Sequence, residues 1–435
     1  MKRGMLLLLV LLMGPLVTPA AAQTRFIVRT TLGLPGLQST CLILGCTVKY
    51  GLGDPQSQVF LVTTSSLIDP GSFLTSIRLR LCIVDAELDL LGKTLQATAS
   101  GIPAALYDNA PVNYFGNSVW HGYVTQPASQ IVRIADTQDD FNVRGSGIVA
   151  IIDTGIDPNH PAFTNALVSG YDFTRNKDGT PSETADLSQS TAAVVDQAQP
   201  AYVNQSTAAV VDQSTAAVVD NPQYAAFGHG TMVAGVVHLV APKAMIMPLK
   251  SFRADGTGYT SDVLRAIYRS VQYSAKVINM SFSFAAYSQE LSQAITYAGQ
   301  KGVICVASAG NDGSKTVVYP AGFSNRVMSV ASTTNNDTRS TFSNYGSGVV
   351  WVAAPGEGIV TTYPFGTYAA AWGTSFSAPF VSGAAALLLD IKSSCGESQA
   401  AKAVANAQWI SYDLGNGRLD LYQAVQAWRQ SLGLY

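Results

Sequence analysis

From Val143 onward the chain alternates continuous apolar runs with amphipathic ones, and this restricts the possible folds more than any other feature. Gly147-Ile148-Val149-Ala150-Ile151-Ile152 contains no polar side chain. A strand with one solvated face would alternate, so an unbroken run belongs in a parallel sheet covered on both faces. Val277-Ile278-Asn279-Met280, Val303 to Ala307 and Val327-Met328-Ser329-Val330 have the same texture. Between them, Ser261 to Ser274 and Gln289 to Lys301 read as helices, the second with Leu291, Ile295 and Ala298 on one face. Strand and helix in alternation predict an α/β domain, doubly wound, with a mostly parallel sheet and helices on both faces. Such sheets carry their chemistry beyond the carboxyl ends of the strands.

The rest of the chain frames that domain. At 435 residues there is room for two or three domains of roughly 100–200 residues each. Only 12% of residues are charged and the net charge is −2, so the basic face that nucleic acid requires is missing. The N-terminus reads as a secretory leader. Lys2 and Arg3 precede an apolar run from Met5 to Met13, then Pro19-Ala20-Ala21-Ala22, with cleavage expected before Gln23. The run is well short of the ~20 residues that span a bilayer, and no later stretch reads as a span. Residues 1–22 therefore predict a secreted, extracellular protein with no membrane anchor after cleavage.

Residues 23–95 read as a small α+β domain. Phe26-Ile27-Val28 is strand-like, and Val48-Lys49-Tyr50 and Val59-Phe60-Leu61-Val62 flank a turn as in a hairpin. Asp69-Pro70-Gly71 opens a helical run, and Cys82-Ile83-Val84 begins another strand. Residues 96–126 lack periodicity and hold Gly101, Pro103, Pro111 and Gly116, the marks of a linker or processing region. The α/β domain takes 127–435. Within it, 189–220 is four tandem octads, three of them QSTAAVVD and one QAQPAYVN. Each unit has only a short apolar run, too little for a core, so a mobile surface loop is expected, inserted at small entropic cost. The cysteines at 41, 46, 82, 305 and 395 match no zinc spacing. Cys41 or Cys46 could pair with Cys82, while Cys305 lies in an apolar run as a small hydrophobe.

Three residues are candidates for chemistry. Asp153 follows the apolar run 147–152 in Asp153-Thr154-Gly155-Ile156-Asp157, at the carboxyl edge of the expected sheet. Asp-Thr-Gly also marks aspartic proteases, but those need two carboxylates, and no second Asp-Thr-Gly or Asp-Ser-Gly occurs. His229 stands between two glycines that let other groups approach closely, ahead of a helical run from Met232 to Leu239. His160 reads better as a turn residue, and His229 and His238 miss the i, i+4 spacing of a helical zinc pair. Ser375 lies at the start of a run of small residues that reads as a buried helix, whose free N–H groups favour a developing negative charge. Ser377 breaks the match to the Gly-x-Ser-x-Gly elbow. Taken singly, a sheet-edge carboxylate or a helix-capping serine would explain these positions.

Together they stand in the order Asp, His, Ser, that of subtilisin rather than of chymotrypsin or the α/β-hydrolases. Four blocks, Ile151 to Asp157, Gly228 to Gly235, Ser308-Ala309-Gly310-Asn311 and Gly373 to Pro379, carry a resemblance to the subtilisin-like serine peptidases, the subtilase family. The resemblance spans about residues 130–428. It implies a subtilisin-like fold and a serine endopeptidase in which Ser375 attacks the peptide carbonyl, His229 takes its proton and Asp153 orients the imidazole. It implies Asn311 as the oxyanion-hole donor beside the Ser375 N–H, although Asn311 read alone is a turn residue. It assigns Ser281, Phe282 and Ser283 to one substrate-binding wall and Ser308, Ala309 and Gly310 to the other. It also implies that 23–95 is a ferredoxin-like inhibitory propeptide. The expected partners are then protein or peptide substrates and the chain's own propeptide, with no cofactor, in an enzyme acting as a monomer.

The sequence departs from the family in places. Ser283 stands where glycine is common, Met232 replaces a second histidine, and no inserted calcium loop fits between Val240 and Pro242, so no metal site is carried over. A catalytically silent binding protein on the same fold is the main rival. It would be marked by a lost triad or oxyanion residue, and none is lost. An adhesin built on the octads would call for further modules, whereas the chain runs only about fifteen residues past Asp420.

Overall fold

The structure, a computed structural model, describes residues 23–94, 97, 101–187, 200–204, 208–212 and 222–434. The leader expected over 1–22 lies outside the described residues. Two compact units divide the chain.

The first unit follows the order Gln23–Thr30 strand, Gly33–Leu44 helix, Cys46–Gly51 and Val59–Ser65 strands, Pro70–Arg78 helix and Ile83–Leu88 strand. Its sheet places the strand at 46 beside those at 59, 23 and 83 in turn. This βαββαβ order is the ferredoxin-like one. Phe26, Val28, Phe60, Val62 and Ala86 share one face, covered by Leu37, Cys41, Phe73 and Ile77. The second helix announces itself in sequence: Asp69 accepts the Ser72 N–H at 2.8 Å as N-cap, and Pro70 takes the first position. The first helix has no side-chain cap at Leu32, so it gives no such signal. Cys41 and Cys46 form a disulfide and Cys82 is free, so the pairing considered with Cys82 is not the one that forms. Left-handed Gly45 (φ 70°) turns the chain from helix to strand between the two partners.

In the second unit an eight-stranded sheet runs Lys177–Asp178, Tyr171–Asp172, Met245–Lys250, Ile148–Asp153, Val277–Met280, Ile304–Ser308, Met328–Thr333, Val352–Pro355. Its pairings are parallel except at the outermost Lys177–Asp178 strand. From Asp153 the chain returns on one side of its strand, at 245, and then on the other, at 277. The strand order therefore reverses beside Asp153, where doubly wound folds open a crevice. Val149, Ile151, Val277, Ile304, Val306 and Met328 share a core with helices His229–Val240 and Thr374–Ile391. The alternate residues Ala150, Ile152, Ile278 and Ala307, equally buried, face helices Thr260–Gln272 and Gln289–Gln300 across the sheet. This is the α/β arrangement the apolar runs require.

Three expectations fail here. The Thr374–Ile391 helix is long and apolar enough to cross a membrane, though none was expected after the leader. Its residues from Thr374 to Leu389 are all buried in the core, which accounts for the composition. Of the stretch 96–126 expected as a linker or processing region, the described part 101–126 is packed rather than a linker. Pro111–Tyr114 and Asn117–Trp120 form a hairpin, and Leu106, Tyr114, Val119 and Tyr123 join the main core. Tyr123 Oη donates to Gly235 O at 2.7 Å and Tyr114 Oη to Leu239 O at 2.5 Å, which satisfies the polar tips of buried rings. The prolines and glycines there mark turns between short packed pieces. Where the octads are described they are strands, not loop. Pro200–Asn204 pairs antiparallel with Ala208–Asp212, which pairs with Thr367–Ala371. An insertion needs no core of its own when an existing strand edge supplies backbone partners, and the Val-Val pairs suit extended chain.

Candidate active site

Each of the three candidate residues stands where an element ends or begins. Asp153 closes the Ile148–Asp153 strand, His229 opens its helix, and Ser375 is the second residue of Thr374–Ile391. Asp153 Oδ1 lies 2.7 Å from His229 Nδ1, with both residues only 1% exposed. Two glycines allow this approach. Gly228 is left-handed (φ 86°), and a Cβ at Gly230 would fall 2.1 Å from the Gly155 carbonyl oxygen. His229 Nε2 is buried and has no hydrogen-bond partner. Its ring packs against Phe376, the residue after Ser375, at 5.3 Å between centroids. Ser375 Oγ donates to the Ser281 carbonyl at 3.4 Å.

Asn311 is oriented from the same helix. Its Oδ1 accepts the Thr374 N–H and hydroxyl, both at 2.9 Å. That fixes the amide and leaves Nδ2 a buried donor with no partner. Such a donor costs on the order of 1–3 kcal/mol, so the site holds an unmet demand for an acceptor oxygen.

The two expected walls flank these groups. Ser281 Oγ donates to Ser375 O at 2.8 Å and receives Asn279 Nδ2 at 2.9 Å. Gly310 follows the Ile304–Ser308 strand, and a Cβ on it would meet Asn344 Nδ2 at 2.3 Å and Val318 at 3.3 Å. Asn344, which carries no sequence signal, receives the Asp312 N–H and donates to Ala309 O, Thr316 O and the Asp312 carboxylate. Asp312 is thereby tied to its neighbour. Between Phe282–Ser283 and Thr257–Tyr259 runs Leu91–Thr94, antiparallel to both. Lys93 stands opposite Ser283 and Thr257, Thr94 opposite Phe282, and Gly92 opposite Gly258.

Glu183 is the buried neighbour of this pair that sequence reasoning missed. Only 1% exposed, it bridges the Asp153 turn and the His229 helix. Oε1 accepts the Thr154 hydroxyl and the Gly230 N–H (3.2 Å), and Oε2 accepts the Thr231 hydroxyl and N–H (3.3 Å). That helix has no side-chain cap at Gly228 and no acid in its first turn, so Glu183 caps it from a distant loop. Burial pushes the Glu183 carboxyl above its ordinary range, against the hydrogen bonds from Thr154 and Thr231 and the charge of Lys250. Lys250, itself fully buried, donates to Thr154 O, Phe252 O and Asp186 Oδ2 at 2.6–2.9 Å. A lone acid in Pro181-Ser182-Glu183-Thr184 has no periodicity to reveal it. The other buried histidines sit apart from this pair. His160 caps a short 3₁₀ turn through the Ala162 N–H, and burial lowers His238 to about 4. Among the described residues, no cluster of three His, Cys, Asp or Glu is placed to hold a metal.

Residues 145–422 match the sequence profile of the subtilase family. The chain belongs to that family. This subtilase is 36% identical over 295 residues to thermitase of Thermoactinomyces vulgaris, covering 65% of its own length and 90% of thermitase. It is 31% identical over 335 residues to a thermophilic serine proteinase of Bacillus sp. strain AK1, covering 74% and 73%. Against subtilisin BL of Lederbergia lenta it is 38% identical over 170 residues, 37% of this chain and 62% of that one. The subtilase is accordingly a serine endopeptidase that acts on protein substrates.

Proposed function

We propose that this subtilase is exported, is restrained by residues 23–95 as a propeptide, and cleaves peptide bonds with Asp153, His229 and Ser375. The observation that carries the reading is the buried 2.7 Å contact of Asp153 with His229 Nδ1 while Nε2 has no partner. A carboxylate on Nδ1 holds the proton there and leaves Nε2 as the acceptor. Nε2 takes the Ser375 proton as Oγ attacks the carbonyl carbon. The carbonyl oxygen becomes an oxyanion, received by Asn311 Nδ2 and the Ser375 N–H at the helix start. The imidazolium then protonates the departing amine. A water activated by the same nitrogen releases the acyl group from Ser375, restoring the enzyme.

The propeptide reading is supported by the Leu91–Thr94 strand, which pairs on one side with the expected wall at Phe282–Ser283 and on the other with Thr257–Tyr259, as an extended substrate backbone would. Its register predicts where the chain is cut. Thr94 opposes Phe282, and the next wall residue is Ser281, whose carbonyl receives Ser375 Oγ. The residue after Thr94 is Leu95, so the expected scissile bond is Leu95–Gln96. The packed segment 101–126 then belongs to the mature enzyme.

N-terminal sequencing of secreted wild type beside Ser375→Ala tests this. Wild type is expected to begin at Gln96 and hydrolyse casein, and the variant to begin at Gln23 and not hydrolyse it. Casein hydrolysis by purified Ser375→Ala would overturn the assignment.

A further inference from the structure

We propose that Phe284 closes the subsite for the fourth residue on the acyl side of the scissile bond, so that this subtilase selects peptides with glycine there. The inference rests on the reading above, in which Leu91–Thr94 takes the place of substrate and Leu95 precedes the cut. In that strand the side chains alternate: Leu91 and Lys93 are exposed, Gly92 and Thr94 buried. Gly92 is thus an inward position, the fourth counted back from the bond. A Cβ built on it would fall 2.6, 2.8 and 2.9 Å from three ring carbons of Phe284, inside any real carbon–carbon contact.

The ring is hemmed in. Phe284 is 1% exposed and stands edge-on to Phe282 at 5.9 Å, and Phe282 lies 4.8 Å from Phe252. These rings form an aromatic layer beneath the strand. The Phe284 backbone is held on both sides by Tyr319, its N–H donating at 2.8 Å and its carbonyl accepting at 3.0 Å. On its other side Gly92 pairs with Gly258, whose own backbone packs so closely that a Cβ on Gly258 would fall 2.5 Å from Ser251 O and 2.7 Å from the Phe252 ring. A side chain at the Gly92 position must therefore displace a packed ring or lift the peptide off the wall, breaking its backbone pairing. Two residues on, the Thr94 position accommodates a β-branched side chain, so the restriction belongs to one subsite and not to the whole cleft.

The test is a panel of internally quenched peptides containing Leu-Gly-Lys-Thr-Leu-Gln, with the glycine replaced by Ala, Leu or Phe. Values of kcat/KM are normalised to active sites titrated with a fluorophosphonate, and cut positions are mapped by mass spectrometry. The Leu and Phe peptides should fall about 10- to 100-fold below the Gly peptide, as overpacking a closed pocket requires. In Phe284→Ala the Phe-to-Gly ratio should rise at least tenfold. Equal kcat/KM for the Gly and Phe peptides in wild type overturns the proposal, whether or not Phe284→Ala folds. So does an unchanged ratio in the folded variant. Failure of the underlying reading would look different: the Gly peptide would be cut elsewhere than after Leu, or would be cut by Ser375→Ala.

Discussion

Glu397 should make the stability of this enzyme fall as pH rises through neutrality. It opens the Glu397–Val404 helix, and its Oε2 accepts the Cys305 N–H at 2.8 Å. Burial raises its carboxyl to about 8, only partly opposed by that hydrogen bond. Below the ordinary carboxylate value the proton is bound in both folded and unfolded chains, and Glu397 adds no pH dependence. Between that value and about 8 the unfolded chain releases a proton that the folded chain keeps, so folding is progressively disfavoured; above it the loss is complete. Each pH unit in the window removes about 1.4 kcal/mol, or about 5 kcal/mol across it. The residue is partly exposed, and screening brings the expected loss to about 2–4 kcal/mol. Glu397→Gln keeps an acceptor for the Cys305 N–H and has nothing to ionise. In a Ser375→Ala background, which prevents self-digestion, melting curves of the pair should nearly coincide at pH 5. By pH 9 Glu397→Gln should be the more stable, by roughly 2 °C or more per kcal/mol. A difference between the two that is the same at pH 5 and pH 9 would refute the reasoning.

Glu183→Gln should lower kcat per titrated site more than it changes KM, because an amide turns donor to donor against one buried N–H of the His229 helix. That leaves about 1–3 kcal/mol of unmet hydrogen bonding. Its melting temperature should also drop, least at alkaline pH, where the wild-type carboxylate with its raised value has lost its own contribution; unchanged kcat and melting temperature would exclude the bridging role. Deleting 205–220, two whole octads, removes the strand that pairs with Thr367–Ala371 but none of Asp153, His229, Asn311 or Ser375, and shortening an insertion changes closure entropy by only about 0.6 kcal/mol per halving. Hydrolysis of the Gly peptide should be nearly unchanged in that variant, and its loss would make the octads structural.

What the sequence disclosed follows from how locally each feature is encoded. The unbroken run Gly147 to Ile152 marks a buried parallel strand because every position is constrained alike. The blocks around Asp153, His229 and Ser375 made the family legible because each combines a polar side chain with glycines and small residues that its turn or helix start demands. Residues 101–126 misled because their turn residues resemble a linker, and the burial of Tyr114 and Tyr123 depends on Leu239 and Gly235, more than a hundred residues away. The octads misled for a related reason: their described strands use the free edge of Thr367–Ala371, a partner that no repeat period reveals. Glu183 and Phe284 were invisible because their roles exist only once distant elements meet.

The partnerless atoms explain why so much structure converges on this place. Asp153 Oδ2, His229 Nε2 and Asn311 Nδ2 are all buried without hydrogen-bond partners, a cost that ordinary packing would remove by small rotations. Here rotation is blocked. Thr374 holds the oxygen of the Asn311 amide, the Asp153 carboxylate holds one side of the imidazole, and Glu183 pins the turn and the helix that carry that pair. Stability built into the surrounding sheet and the buried Lys250 cluster thus holds these polar groups unpaired, and in the proposed mechanism His229 Nε2 meets the Ser375 proton and Asn311 Nδ2 the oxyanion. Interactions of that kind strengthen as the carbonyl becomes an oxyanion, which is the condition for accelerating the reaction rather than merely binding the substrate.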